Sequence, residues 1–195
     1  DLGLFTTNPE IAEDATRLFN RLTGYAPKTT YERLLVAPEY LQMGLLALIE
    51  NEIEAARSGQ SARLIFKMNQ IEEDVIIQKL YEASQAGVQI DLIVRGLCCL
   101  RSGLPGISEN IRVTSIIDMM RRNLYNRVEV VFPILDTRLQ RRVLRILATD
   151  LRNNTSAWRQ QPDGSYSPIV PGPDEELIDS QYIFTQESTG LDILP

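Results

Sequence analysis

The sequence predicts an α/β fold: a mixed, largely parallel sheet flanked by helices. Three observations carry this. Short β-branched runs alternate with helix-length amphipathic segments from Ala62 to Val94, the order that builds parallel strands joined by helical crossovers. Glycines stand where the first three helix patterns stop, at Gly24, Gly59 and Gly87. The run Ile90 to Val94 delivers Arg95 to its C-terminal end, the edge at which α/β sheets receive ligands.

Asn8-Pro9-Glu10 opens the first helix, with Asn8 as N-cap and an acid in the first turn. Its apolar stripe is Ile11, Ala15, Leu18, Phe19 and Leu22. A short buried strand follows at Leu34 to Ala37. Pro38-Glu39 begins a longer helix with Leu41, Leu45, Leu48, Ile49, Ile53 and Ala56 on one face, ended by Ser58-Gly59. Ala62 to Met68 reads as a strand, Asn69 as an N-cap and Ile71 to Ala86 as a helix. Val88 to Val94, Ile111 to Ile117 and Val128 to Ile134 read as further strands. Asp136 caps a helix whose core face is Leu139, Val143, Ile146, Leu147 and Leu151. Trp158 and Tyr166 flank a Gln161-Pro162-Asp163-Gly164 turn, an edge hairpin. From Pro168 the chain reads as a poorly packed tail.

Composition narrows the chemistry. The 195 residues carry a net charge of −6, 44% hydrophobic residues and no histidine. No imidazole of this chain can therefore take part in catalysis. No apolar run is long enough to span a bilayer. Cys98 and Cys99 are adjacent, which fits neither a metal-ligand spacing nor a disulfide framework, and they read as reduced thiols. Between Arg95 and Arg152 stand 11 Arg against 5 acids, a local +6 inside a chain whose remainder carries −12. That asymmetry suits a local polyanion site better than a nucleic-acid surface.

Guanidinium groups favour phosphate oxygens through paired, charge-assisted hydrogen bonds. Arg95, Asn110 and Arg112 are the leading anion-binding candidates, expected to converge from loops at one sheet edge. Lys67 and Asn69, at the end of the neighbouring strand, share that edge. The alternative for Arg95 is neutralisation by Asp91 or Glu109. Arg121, Arg122, Asn123 and Arg127 follow as a basic turn or a phosphate contact. Glu109, Asp118 and Glu129 lack the paired spacing that would argue for a metal, and no metal ligands are assigned. Walker-type and nucleophile-elbow motifs are absent.

Several blocks resemble, in order, the C-terminal part of bacterial polyphosphate kinases, the histidine-phosphorylating family built from phospholipase D-like domains. They are Asp1 to Thr6 (DLGLFT), Asn20 to Tyr25 (NRLTGY), Leu34 to Pro38 (LLVAP), Lys67 to Asn69 and Leu80 to Gly87 (LYEASQAG). Val88 to Leu100, Ser108 to Ile117, Arg122 to Pro133 (RNLYNRVEVVFP) and Gln161 to Tyr166 (QPDGSY) complete the set. The resemblance implies a phospholipase D-like fold and reversible transfer of the ATP γ-phosphoryl group to inorganic polyphosphate. It further implies a phosphohistidine intermediate and Mg²⁺ acting with ATP. ATP or ADP and polyphosphate are the implied partners, with a homo-oligomer for the longer protein and a cytoplasmic, membrane-associable location. It assigns Arg95 to the nucleotide phosphates. Lys67, Asn69, Asn110, Arg112, Arg122 and Asn123 fall in matching motifs near the polyphosphate.

The resemblance divides the chain into 1–30, the end of a preceding phospholipase D-like domain and a linker helix; 31–167, the C-terminal such domain; and 168–195, a weakly ordered tail. The opening at Asp1, without an initiator Met, reads as a fragment, upstream of which the family places its phosphorylated histidine. The family's second histidine belongs between the Ser-Ile-Ile block and Arg-Asn-Leu, where only Asp118 to Arg121 intervene. A family segment is thus expected to be absent near Asp118–Met120, with a Cα–Cα step beyond 3.8 Å between Ile116 and Arg121 if the break is physical. The rival readings are a non-catalytic polyanion-binding module and a phospholipase D-like hydrolase.

Overall fold

The structure, a computed structural model, describes residues 3–24, 30–116 and 129–188. The elements run α1 (Pro9–Leu22), β1 (Leu35–Val36), α2 (Leu41–Arg57), β2 (Arg63–Met68), α3 (Asp74–Gln85), β3 (Gln89–Val94), β4 (Ile111–Ile116), β5 (Val130–Val131), α4 (Thr137–Arg152), β6 (Ala157–Gln160), β7 (Tyr166–Pro168) and α5 (Ser180–Ser188). The main sheet has the order β2-β3-β4-β6-β7. Its first three strands are parallel, and β6 and β7 add on antiparallel. The expected α/β class with a mixed sheet flanked by helices is what the chain adopts.

Period-2 alternation sorts the side chains onto two faces. One face carries Ile90, Leu92, Val94, Ile111 and Val113 into a core shared with Ile49, Ile53, Ile77 and Leu80 of α2 and α3. Leu92, Val94, Val113, Leu80 and Ile49 are fully buried, and each such side chain stabilises the fold by about 1.5–3 kcal/mol. The other face presents Ile93, Ile116 and Ala157, against which Leu147 and Leu151 of α4 pack. At the chain's start, Ile11 of α1 packs on Leu34 and Val36. The buried Asp14 carboxylate anchors that contact, accepting from the backbone N–H of Glu32, Arg33 and Leu34 at 2.7–3.1 Å.

Asn8 caps α1 as expected, its Oδ1 accepting from Ile11 N at 3.0 Å. Gly87, at φ 98°, ends α3 in the left-handed region that glycine enters without strain. Four expectations need correction. Asn69 does not cap α3, which begins at Asp74 after Glu73. The backbone at 69–71 is held instead by the next strand's loop, through Gly96 N to Asn69 O and Ile71 N to Leu97 O. These long-range ladder bonds satisfy groups that a helical turn would otherwise have taken up.

The second correction concerns Val128 to Ile134. Only Val130–Val131 forms a strand, and it pairs antiparallel with β1 in a separate two-stranded sheet. In the main sheet the neighbour of β4 is β6, not β5. Third, the apolar stripe of α4 is only part-buried, with Leu139 exposed, and the one fully buried side chain of that helix is Asp150. Last, within the segment read as a poorly packed tail, Ile178 and Ser180 are buried and α5 follows. Asn153 Nδ2 donates to Ser180 Oγ at 3.0 Å, and Asn154 exchanges hydrogen bonds with the 176–178 backbone. The expected Cα step near Asp118–Met120 lies outside the described residues.

Candidate functional site

Parallel registry decides which candidates meet. Lys67 pairs with Ile93 and Met68 with Val94, so one step farther Asn69 lies beside Arg95. Alternation places Lys67, Asn69 and Arg95 on the face that also carries Ile93, under α4. These three share one edge of the sheet, the C-terminal ends of β2 and β3.

Arg95 is exposed there, and three bonds tie Arg95 and Gly96 to Met68 and Asn69. Arg95 N donates to Met68 O at 3.2 Å, and Gly96 N donates to Asn69 O at 2.7 Å. The Arg95 guanidinium donates Nε–H to Asn69 Oδ1 at 3.0 Å. Lys67 Nζ donates to Asp150 Oδ2 at 2.6 Å. Asp150 is fully buried, whereas the Lys67 side chain is 37% exposed and faces both carboxylate and solvent.

Asn110 and Arg112 stand at the opposite edge. A parallel strand must be entered from its N-terminal end, so the connection 95–110 carries the chain back across the sheet before β4 begins. Arg112 pairs with Asp91, four residues and about 13 Å short of Arg95 at ~3.3 Å per residue. The expected convergence of Arg95 with Asn110 and Arg112 does not occur.

What these two residues do instead is visible. Arg112 Nε and Nη2 donate to Asp91 Oδ1 at 2.7 and 2.6 Å, while Arg63 Nη2 donates to Oδ2 at 2.6 Å. One 7%-exposed carboxylate thus bridges two part-exposed guanidiniums. Asn110 joins the entry to β4 to the end of α3, donating Nδ2–H to Ser84 O at 2.9 Å. Arg122 and Asn123, with Asp118, Arg121 and Arg127, lie outside the described residues.

The connection 95–110 contains no helix and is pinned by buried side chains. Gln160 Oε1 accepts from Ser102 N and Oγ at 3.0 and 2.9 Å, and its Nε2 donates to Leu100 O at 3.0 Å. Ser108 Oγ donates to Arg101 O at 2.7 Å. Burial pushes the Cys98 thiol up, opposed by its bond to the Leu100 carbonyl. Burial, with Cys98 beside it, raises Tyr166 to about 12.

Sequence reasoning did not single out Asp150 or Gln160. Asp150 had a signal: it interrupts the apolar stripe of α4 one residue before Leu151 and three after Leu147, a core-facing position. Gln160 had none, because its partners lie 58 and 60 residues away. Among the described residues no group of three or more His, Cys, Asp or Glu could hold a metal ion. Two recesses of about 420 and 300 Å³ lie elsewhere, between α2 and α3 and beside Asn154 and Arg159.

Comparison with known proteins gives this edge a context. Residues 34–119 and 117–181 match the family model described as "Polyphosphate kinase C-terminal domain 2". A polyphosphate kinase of Synechocystis sp. is 43% identical over 213 residues, covering 96% of this chain and 29% of that protein. One from Thermosynechococcus vestitus is 46% identical over 200 residues, covering 90% and 27%. The crystal structure of polyphosphate kinase from Porphyromonas gingivalis superposes with a TM-score of 0.84 at 36% identity, over 95% of this chain and 32% of that one. The chain therefore spans about three-tenths of the length of these relatives. The two stretches of the family match overlap at residues 117–119. With residues 34–181 of the chain matched to the family model and its structure superposing so closely, the chain belongs to the polyphosphate kinase C-terminal domain family.

Proposed function

We propose that this chain supplies part of the phosphate-binding rim of a polyphosphate kinase, which transfers the ATP γ-phosphoryl group reversibly to inorganic polyphosphate. The observation that carries this reading is the shared placement of Lys67 and Arg95 on one edge and one face of the sheet. Arg95 and the part-exposed Lys67, whose charge the Asp150 carboxylate already shares, engage adjacent phosphate groups there and spread the charge that builds on the transferring phosphoryl. Arg95 offers a planar fork for nucleotide phosphate and Lys67 a compact point charge. Arg122 and Asn123 are assigned to polyphosphate by their motif alone. Asn110 and Arg112, on the far edge, are not placed in the same contact.

The chain has no histidine, so the phosphohistidine of the proposed double displacement comes from sequence outside it. An imidazole there is nucleophile and then leaving group, which divides one displacement into two. Among the described residues no group of carboxylates fits a Mg²⁺ cage; we assign the Mg²⁺ to ATP, whose phosphates would carry it and whose charge it would offset. No helix among the described residues is long and apolar enough to cross a membrane, and we place the reaction in the cytoplasm, where ATP is.

Calorimetric titration with inorganic tripolyphosphate and with ATP tests the reading. Binding to both that weakens at least tenfold in Arg95→Ala supports it, and unchanged binding in that variant removes Arg95 from its role. The lack of histidine also keeps a second reading open, a polyanion-binding module without chemistry. Tripolyphosphate binding with a steep salt dependence and indifference to ATP would favour that one.

A further inference from the structure

The geometry points to Asn69 as a positioning residue, one that acts on phosphate through Arg95 rather than by touching it. This inference rests on the reading of Arg95 as a phosphate contact and adds what holds that contact in place. Asn69 applies both of its carbonyl oxygens to the Arg95-Gly96 dipeptide. Its backbone oxygen takes the Gly96 N–H at 2.7 Å, and its side-chain oxygen takes the Arg95 Nε–H at 3.0 Å. The first bond fixes the backbone from which the guanidinium springs. The second fixes the plane of the guanidinium itself, because Nε lies in that plane.

The dipeptide is suited to this grip. A Cβ on Gly96 would stand 3.0 Å from Asn69 O, so a larger residue would push the two backbones apart. A guanidinium already oriented loses less side-chain freedom when an anion arrives. Asn serves better than Asp in this position, since a carboxylate would orient Arg95 but set a negative charge against the incoming anion. The sequence order Asn69, Arg95, Gly96 thus encodes an aiming device for a planar cation.

The test uses the whole chain and four variants: Asn69→Ala, Asn69→Asp, Arg95→Ala and the double variant Asn69→Ala with Arg95→Ala. Hydrogen exchange of the Arg95 Nε–H, assigned by its loss in Arg95→Ala, is read by ¹⁵N NMR. Tripolyphosphate affinity is read by calorimetry. Positioning requires faster Nε–H exchange in Asn69→Ala and roughly tenfold weaker binding, about 1.4 kcal/mol. In the Arg95→Ala background the same change must add nothing beyond about twofold. Asn69→Asp must keep the Nε–H protected while still weakening tripolyphosphate.

An equal loss on Asn69→Ala with or without Arg95 would make Asn69 a direct ligand and overturn the inference. Unchanged exchange in Asn69→Ala would overturn it as well. If Arg95→Ala leaves binding intact, the functional reading fails, yet the exchange measurement still decides whether the clamp exists.

Discussion

Lys67 and Asp150 form an ion pair at 2.6 Å in which one partner is wholly buried and the other is not. Among the described residues Asp150 Oδ1 has no hydrogen-bond partner, so Lys67 is the counter-charge that makes this burial tolerable. Lys67→Met should therefore destabilise the fold by about 3 kcal/mol, the lower end of the cost of an abandoned buried charge because the lysine is part-exposed. Adding Asp150→Leu should recover most of that loss. Urea unfolding of the single and double variants checks both, and a single variant as stable as the parent would contradict the pairing.

Gly96→Ala should disturb the Arg95 edge without unfolding the protein. The added methyl meets a backbone oxygen rather than a yielding side chain, so the 2.7 Å bond from Gly96 N to Asn69 O must lengthen. We expect a loss of about 1–2 kcal/mol in stability and a tripolyphosphate affinity reduced several-fold, measured together on one preparation. Retained affinity would show that the edge relaxes freely.

Acid should loosen α1 through Asp14. Burial raises this carboxyl, but the backbone N–H groups of Arg33, Glu32 and Leu34, with the Arg17 charge, outweigh it and leave the group below its ordinary 3.8. A carboxyl lowered on folding contributes stability that is complete above the unfolded value and lost as pH falls through the folded one. Asp14→Asn should thus be less stable than the parent at pH 7 and lose less as pH drops below about 4. Parallel stability curves against pH would refute this.

The two cysteines should react differently. Cys99 is exposed, while Cys98 is part-buried with its thiol raised by burial and bonded to Leu100 O at 3.4 Å. Thiolate is the reacting form. Iodoacetamide at neutral pH should label Cys99 first, read by peptide mass spectrometry, and equal labelling would mean that Cys98 is open.

Local patterns made much of this fold legible. The Asn8 cap, the stops at Ser58-Gly59 and Gly87, the three parallel strands and the 157–168 hairpin each rest on residues close in sequence. Lys67, Asn69 and Arg95 were legible as one edge because both strands end on them. Asn110 and Arg112 misled because a motif carries no direction, and only the parallel registry shows which end of β4 they occupy. Asn69 misled because a capping residue and a side-chain acceptor look alike in sequence. The separation of β5 from β4 turned on pairing between positions nearly a hundred residues apart, which periodicity cannot register.

Gln160 ties the Arg95-bearing connection to a hairpin encoded about sixty codons downstream. During synthesis, β2 and β3 leave the ribosome well before the glutamine that seats Leu100 and Ser102. A nascent chain halted short of the hairpin has its cationic side chains already translated, while the span that follows them still lacks its latch. Completion of this edge is thereby made contingent on a late-emerging stretch of the polypeptide.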